Sequence, residues 1–95
     1  MYLLCTDGVA EFDLATQRFK TLLQGNVDAI YFNEKLYIGK REEVFVYNES
    51  TGNFDLFYHL AGKNITLSCL HLDKNKNLWM GTTSNGIYCL SEDKS

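Results

Sequence analysis

Apolar residues along the chain fall in short runs of four to eight, rich in Val, Ile, Tyr, Phe and Leu, separated by clusters of Asn, Asp, Gly and Lys. That spacing predicts strands punctuated by tight turns. No segment keeps a 3.6-residue apolar period for long enough to predict a helix. The fold class expected is all-β. Proline is absent, so the turns must rely on Gly, Asn and Asp, which tolerate positive φ or bond their own backbone. Residues 31–39 read as a hairpin about Asn33-Glu34-Lys35, and 70–81 as its counterpart about 73–77. The turn Ser50-Thr51-Gly52-Asn53 leads into a further strand over 54–60.

The runs recur in order. Leu3-Leu4-Cys5-Thr6-Asp7-Gly8-Val9 aligns with Tyr37-Ile38-Gly39-Lys40 and with Trp79-Met80-Gly81-Thr82, and Gly8 matches Gly86. Apolar stretches follow at 9–12, 44–47 and 87–90. Thr16 and Phe19 return thirty-five positions later as Thr51 and Phe54, and Leu36 returns as Leu78 after forty-two. Val27-Asp28-Ala29-Ile30-Tyr31-Phe32 aligns with Leu67-Ser68-Cys69-Leu70-His71-Leu72. This alignment puts Leu3, Tyr37 and Trp79 in one slot, and sets Cys5 where later copies carry Gly39 and Gly81.

A unit of roughly 40–45 residues with four strands is the mark of a β-propeller blade. The expectation is a β-propeller fragment of about two and a half four-stranded antiparallel blades. Residues 1–24 supply strands two to four of one blade, 25–63 a complete blade, and 64–95 strands one to three of another. Closed propellers take at least four blades. Either further blades of a longer protein or copies of this chain must therefore complete the ring, since bare strand edges and stacking faces favour association.

The segment 65–82, ending in Asn77-Leu78-Trp79-Met80-Gly81-Thr82 and continuing through Asn85-Gly86-Ile87-Tyr88, closely resembles the two-component-regulator propeller repeat. The match is dense over 65–90 and thinner over the two earlier copies. In that family Leu78, Trp79, Gly81, Thr82 and Gly86, with Tyr37 and Gly39 in the middle copy, are structural motif positions. Such repeats are typical of the periplasmic sensor regions of hybrid histidine kinases in Bacteroidetes, many of which respond to glycan fragments. The resemblance implies a receptor ectodomain on the periplasmic side of the inner membrane, with membrane-spanning and kinase parts elsewhere in a longer protein. Lys76 stands where the family usually has a hairpin glycine, so a positive φ is expected there at some cost. The middle copy has Lys40 in place of the motif threonine and lacks the later glycine.

Composition narrows the chemistry. The 95 residues carry nine Lys+Arg against twelve Asp+Glu, a net charge of −3, which argues against a nucleic-acid surface. Aromatics at 14% argue against disorder. No apolar run reaches the roughly 18–20 residues of a membrane span, and no leader-like segment opens the chain. Cys5, Cys69 and Cys89 are too few and too scattered for a disulfide framework or a zinc site, and all three are expected to be buried as small apolar residues.

The candidate residues each have a structural reading beside a functional one. Trp79 could stack on a sugar ring; packing between blades is the reading preferred, given the area an aromatic buries. Asp73-Lys74-Asn75-Lys76-Asn77 matches the opening of a calcium loop, but Leu78 and Ser84 occupy the positions that require Gly and Glu, so no metal is expected. Asp73 and the asparagines are instead expected to bond their own backbone and form the turn. Tyr31 and His71 hold equivalent places on the innermost strands and are the candidate ligand contacts. Lys40-Arg41-Glu42-Glu43 is expected to be a solvated turn, and the acceptor patterns Asn48-Glu49-Ser50 and Asn64-Ile65-Thr66 carry little weight in a bacterial protein. No phosphate-binding glycine loop, G-x-S-x-G or H-E-x-x-H is present, and the scattered carboxylates suggest no acid–base pair. The segment is expected to be non-catalytic and to need no cofactor. Its expected partners are the remaining blades or copies of itself, with an oligosaccharide as ligand and no nucleic acid or direct membrane insertion. A free-standing chain that self-assembles into a ring is the alternative, and a carbohydrate-cleaving propeller enzyme the third reading.

Overall fold

The computed structural model describes residues 1–61 and 64–91. Position 63, where the middle copy is expected to end, and positions 92–95 lie outside the described residues. Within them the chain forms ten strands in three antiparallel meanders. The first sheet contains β1 (Tyr2–Cys5), β2 (Gly8–Asp13) and β3 (Arg18–Gln24). The second contains β4 (Ala29–Asn33), β5 (Lys35–Lys40), β6 (Glu43–Asn48) and β7 (Asn53–His59). The third contains β8 (Leu67–Leu72), β9 (Leu78–Thr82) and β10 (Ile87–Leu90). Strands that follow one another in sequence lie side by side in each sheet, as hairpin-length connections require.

The repeat is visible bond by bond. Asp13 Oδ1 accepts from the amides of Ala15 (2.9 Å) and Thr16 (3.4 Å). Thirty-five residues on, Asn48 Oδ1 accepts from those of Ser50 (3.0 Å) and Thr51 (3.4 Å). These side chains imitate a backbone turn, and each turn ends on a positive φ, 58° at Gln17 and 75° at Gly52. Beyond the turn, Phe12 pairs with Phe19 and Tyr47 with Phe54, both at 4.9 Å between ring centres. An extra residue bulges from the outer strand at the same place in both sheets, between Val9 and Ala10 and between Val44 and Phe45.

Strand pairing corrects the alignment of the first copy. Cys5 pairs with Gly8 across Thr6 and Asp7, just as Lys40 pairs with Glu43 across Arg41 and Glu42. Leu4 opposite Val9 therefore corresponds to Gly39 opposite Val44, and Tyr2 corresponds to Tyr37. Leu3 does not share the Tyr37 and Trp79 slot, and Cys5 does not replace the motif glycine. The slip is one residue, and in a strand one residue reverses the face on which every side chain stands.

The core lies between sheets. Leu36 and Ile38 of β5 pack with Val9, against Tyr2 and Leu23 of the first sheet. Leu78 and Met80 of β9, with Leu67, Leu70 and Leu90, pack with Ala29, Tyr37 and Val44 of the second. Gly39 is the close-approach point of this second contact: a Cβ there would stand 3.2 Å from both Cβ and Cδ1 of Leu67. Strand β5 thus alternates, Leu36 and Ile38 turned to the first sheet and Tyr37 to the third. All three cysteines, expected to be buried, are exposed. Cys5 ends the edge strand β1, and Cys69 and Cys89 stand opposite Gly81 and Trp79 on the uncovered face of the third sheet.

Candidate functional site

The turn between β8 and β9 is organised by one carboxylate. Asp73 Oδ1 accepts from the amides of Asn75 and Asn77, both at 2.9 Å. Its Oδ2 accepts from the Asn77 side-chain amide (3.2 Å) and from the Trp79 indole Nε1 (2.9 Å). The Trp79 bond and then the Asn77 amide hold the Asp73 carboxyl down at about 2, against an ordinary 3.8, because every donor favours the charged form. Lys76 takes φ 64° inside this turn, and Glu34, φ 63°, does so in the shorter turn between β4 and β5. Asp73 is thus a turn-forming residue with its oxygens turned inward on its own hairpin. The indole bond is not legible from the alignment; an Asp six positions ahead of a Trp across a hairpin is the signal that marks it.

Tyr31 and His71 come together. Their rings meet edge-on with centres 5.3 Å apart, and the Tyr31 hydroxyl donates to the Leu72 carbonyl oxygen at 3.2 Å. Both lie on edge strands, β4 and β8, so the pair spans the gap between the second and third sheets at the same sheet edge. Tyr31 is partly buried and His71 exposed, which leaves the imidazole as the side of the pair offered to solvent. Behind Tyr31, Tyr37 meets Phe57 at 5.5 Å. Burial, with Glu34 and Tyr31 adding to it, pushes the Tyr37 hydroxyl above the usual tyrosine range.

The motif positions divide by face. Leu78 is buried against the second sheet, while Gly81 lies beneath the Cys69 sulfur, where a Cβ would collide with Sγ. The Thr82 hydroxyl donates to the Gly86 carbonyl (2.8 Å) and accepts from the Asn85 amide (2.8 Å), closing the β9–β10 turn in which Gly86 takes φ 80°. Trp79 is 43% exposed, so within the described residues it does not lie between two sheets. Its counterpart Tyr37, covered by the third sheet, is 7% exposed. In the Lys40–Glu43 turn, Asp28 Oδ2 accepts from the Arg41 amide (2.7 Å), and Glu43 lies 3.3 Å from His59 Nδ1. Among the described residues no group of three or more His, Cys, Asp or Glu is placed to hold a metal ion, and no helix is long and apolar enough to cross a membrane.

The profile described as "Two component regulator propeller" matches residues 59–84, the span that holds β8, the Asp73 turn and β9. No curated protein matches the chain. Two crystal structures of the extracellular domain of one B. thetaiotaomicron protein are similar over 99% of this chain at 23% identity, with TM-scores of 0.74 and 0.75. That protein is described in one as a one component system and in the other as a hybrid two component system. This chain spans 14% of the length of those structures. Likeness at that identity shows the fold. Residues 59–84 accordingly resemble a two component regulator propeller repeat, and the chain has the all-β fold of a propeller fragment of about two and a half blades.

Proposed function

We propose that the chain is a section of the ligand-sensing propeller in the periplasmic part of a hybrid two-component sensor histidine kinase/response regulator, and that its ligand is a glycan fragment. The observation that carries this reading is the coincidence of two likenesses. The 59–84 repeat matches the two component regulator propeller, and almost the whole chain follows the fold of a hybrid two component system's extracellular domain. In this reading the sheets are scaffold, and the edge pair Tyr31 and His71 contributes an aromatic surface and an imidazole to ligand contact. No bond of the ligand is made or broken; binding changes how blades sit together, and the kinase beyond the membrane responds.

Reading the frame on both sides of the coding segment tests the architecture. Further Trp-x-Gly-Thr repeats, a membrane span and a kinase are expected; flanks with neither repeats nor a span overturn it. Calorimetric titration of the whole ectodomain with oligosaccharides tests the ligand class, with His71→Ala expected to weaken binding by about tenfold, the range of one lost polar contact. Binding unaffected by His71→Ala removes that residue from the site, and no binding to any carbohydrate removes the glycan.

A further inference from the structure

We propose that Asn85 is a site of spontaneous covalent modification, in which the Gly86 backbone nitrogen attacks the Asn85 side-chain amide and the residue becomes aspartate or isoaspartate. The inference is independent of the sensor reading, since it concerns the chemistry of one hairpin turn.

Asparagine is among the thermally labile residues, and Asn85-Gly86 is the one place in the sequence where glycine follows it. At every other asparagine the next residue carries a side chain, which crowds the backbone nitrogen that must attack. The β9–β10 turn leaves both reacting groups open. Residues 83–86 are exposed, and the Gly86 amide makes no hydrogen bond among the described residues. Nothing lies within 4 Å of where a Gly86 Cβ would stand. On the other side of the reaction, Ser84 Oγ donates to Asn85 Oδ1 at 3.2 Å, which draws electrons from the carbon under attack. The remaining bonds of the turn hold other atoms: the Asn85 amide donates to Thr82 Oγ1, and the Gly86 carbonyl accepts from Thr82.

This exposure belongs to the turn and not to the end of the stack. Thr82 faces Gly86 as Lys40 faces Glu43. The second sheet is packed on both faces, and the amides of Leu60 and Leu67 reach the Glu42 and Arg41 carbonyls of its turn at 2.8 and 2.7 Å. Arg41 at the tip is exposed all the same.

Water is the only co-reactant. The Gly86 nitrogen gives its proton to solvent and bonds to Asn85 Cγ, the Cγ–Nδ2 bond breaks, and Nδ2 takes up a proton and leaves as ammonia. A cyclic imide results. Water opens it at Cγ to give aspartate, or at the Asn85 main-chain carbonyl to give isoaspartate, with Gly86 now bonded through Cγ. Either product adds a negative charge. Isoaspartate also lengthens the backbone, in the turn whose counterpart anchors the connection between the second and third sheets.

Mass spectrometry of tryptic peptides tests the proposal on the folded full-length protein, held in warm, mildly alkaline buffer beside a sample in urea that sets the time. The mass change of amide-to-acid exchange is expected at Asn85 before any other asparagine, with isoaspartate detected by enzymatic methylation. Asn85→Gln, whose longer side chain closes the ring far more slowly, should abolish both signals, as should Asn85→Ser; circular dichroism of each should match the parent. Ser84→Ala should slow the conversion about threefold, the share of one hydrogen bond. A folded protein that keeps Asn85 intact while the urea sample loses its amide overturns the proposal, because the turn then shields the site. Earlier conversion at another asparagine overturns it as well, as does isoaspartate that persists at the same level in Asn85→Gln. A rate unchanged by Ser84→Ala overturns the part given to Ser84.

Discussion

The contact of Leu67 with Gly39 is the place to test how the second and third sheets are joined. Leu67 is fully buried, and its Cβ and Cδ1 lie 3.2 Å from the position of a Gly39 Cβ. Leu67→Ala removes the buried side chain and leaves a cavity, a change that costs about 2–5 kcal/mol. At about 0.05–0.15 kcal/mol per residue, a chain of this length has about 5–14 kcal/mol in total, so this one substitution takes a large share. With a urea slope of about 2 kcal/mol/M, a loss of about 3 kcal/mol lowers the midpoint by about 1.5 M. Gly39→Ala alone crowds Leu67 and costs about 1–3 kcal/mol. In the double variant the methyl group that Gly39→Ala introduces enters space vacated by Cδ1, so the two costs should fall short of their sum by about 1 kcal/mol. Urea unfolding followed by circular dichroism, with parent and variants at one protein concentration, provides the cycle. Costs that add to within about 0.5 kcal/mol would refute the contact, since that is how distant sites behave.

Three further outcomes are expected. Gly8→Ala should destabilise by at least about 1–3 kcal/mol, because Gly8 takes φ 144° and a Cβ would collide with the Leu23 carbonyl oxygen; a urea midpoint unchanged from the parent contradicts this. The Asp73 carboxyl should titrate at about 2 by NMR, and Trp79→Phe, which removes its strongest donor, should move that midpoint up toward 3.8; the folded value is depressed, so this carboxylate supports the fold above about pH 4 and ceases to as pH falls toward 2. A midpoint indifferent to Trp79→Phe removes the indole bond. Cys5, Cys69 and Cys89 should all react with Ellman's reagent without denaturant, as their exposure requires, and a thiol that reacts only after unfolding contradicts that exposure.

The strands, the Ser50-Thr51-Gly52-Asn53 turn and the Asp73 turn were readable because their causes are local: alternation along a strand, and turn-forming residues beside the amides they bond. The phase of the first copy was not. Leu3-Leu4 looks like an aliphatic motif in several registers, and what fixes the pairing is the length of the hairpin through Thr6 and Asp7. Cys69, Cys89 and Trp79 are exposed for a non-local reason: their environment is set by the sheet that follows, and the third sheet is followed by none among the described residues. Cys5 is exposed because it ends the edge strand β1. Tyr31 and His71 aligned as equivalents, yet the contact between them depends on how two sheets stack, which letters in register do not specify.

The near-identity of the two internal contacts has a consequence for how such a chain changes over generations. The cup floored by Tyr2 and Val9 and that floored by Tyr37 and Val44 accept inserts of the same kind, Leu36 with Ile38 in one and Leu78 with Met80 in the other. A gene duplication or deletion of one whole unit therefore leaves each surviving junction chemically satisfied. Nothing at a single junction records how many units belong in the array, so unit number is free to drift by unequal recombination until ring closure selects it. Loop length drifts with equal freedom: five residues occupy the turn from Leu72 to Leu78 where Glu34 alone turns β4 into β5, and the sheets on either side are built alike.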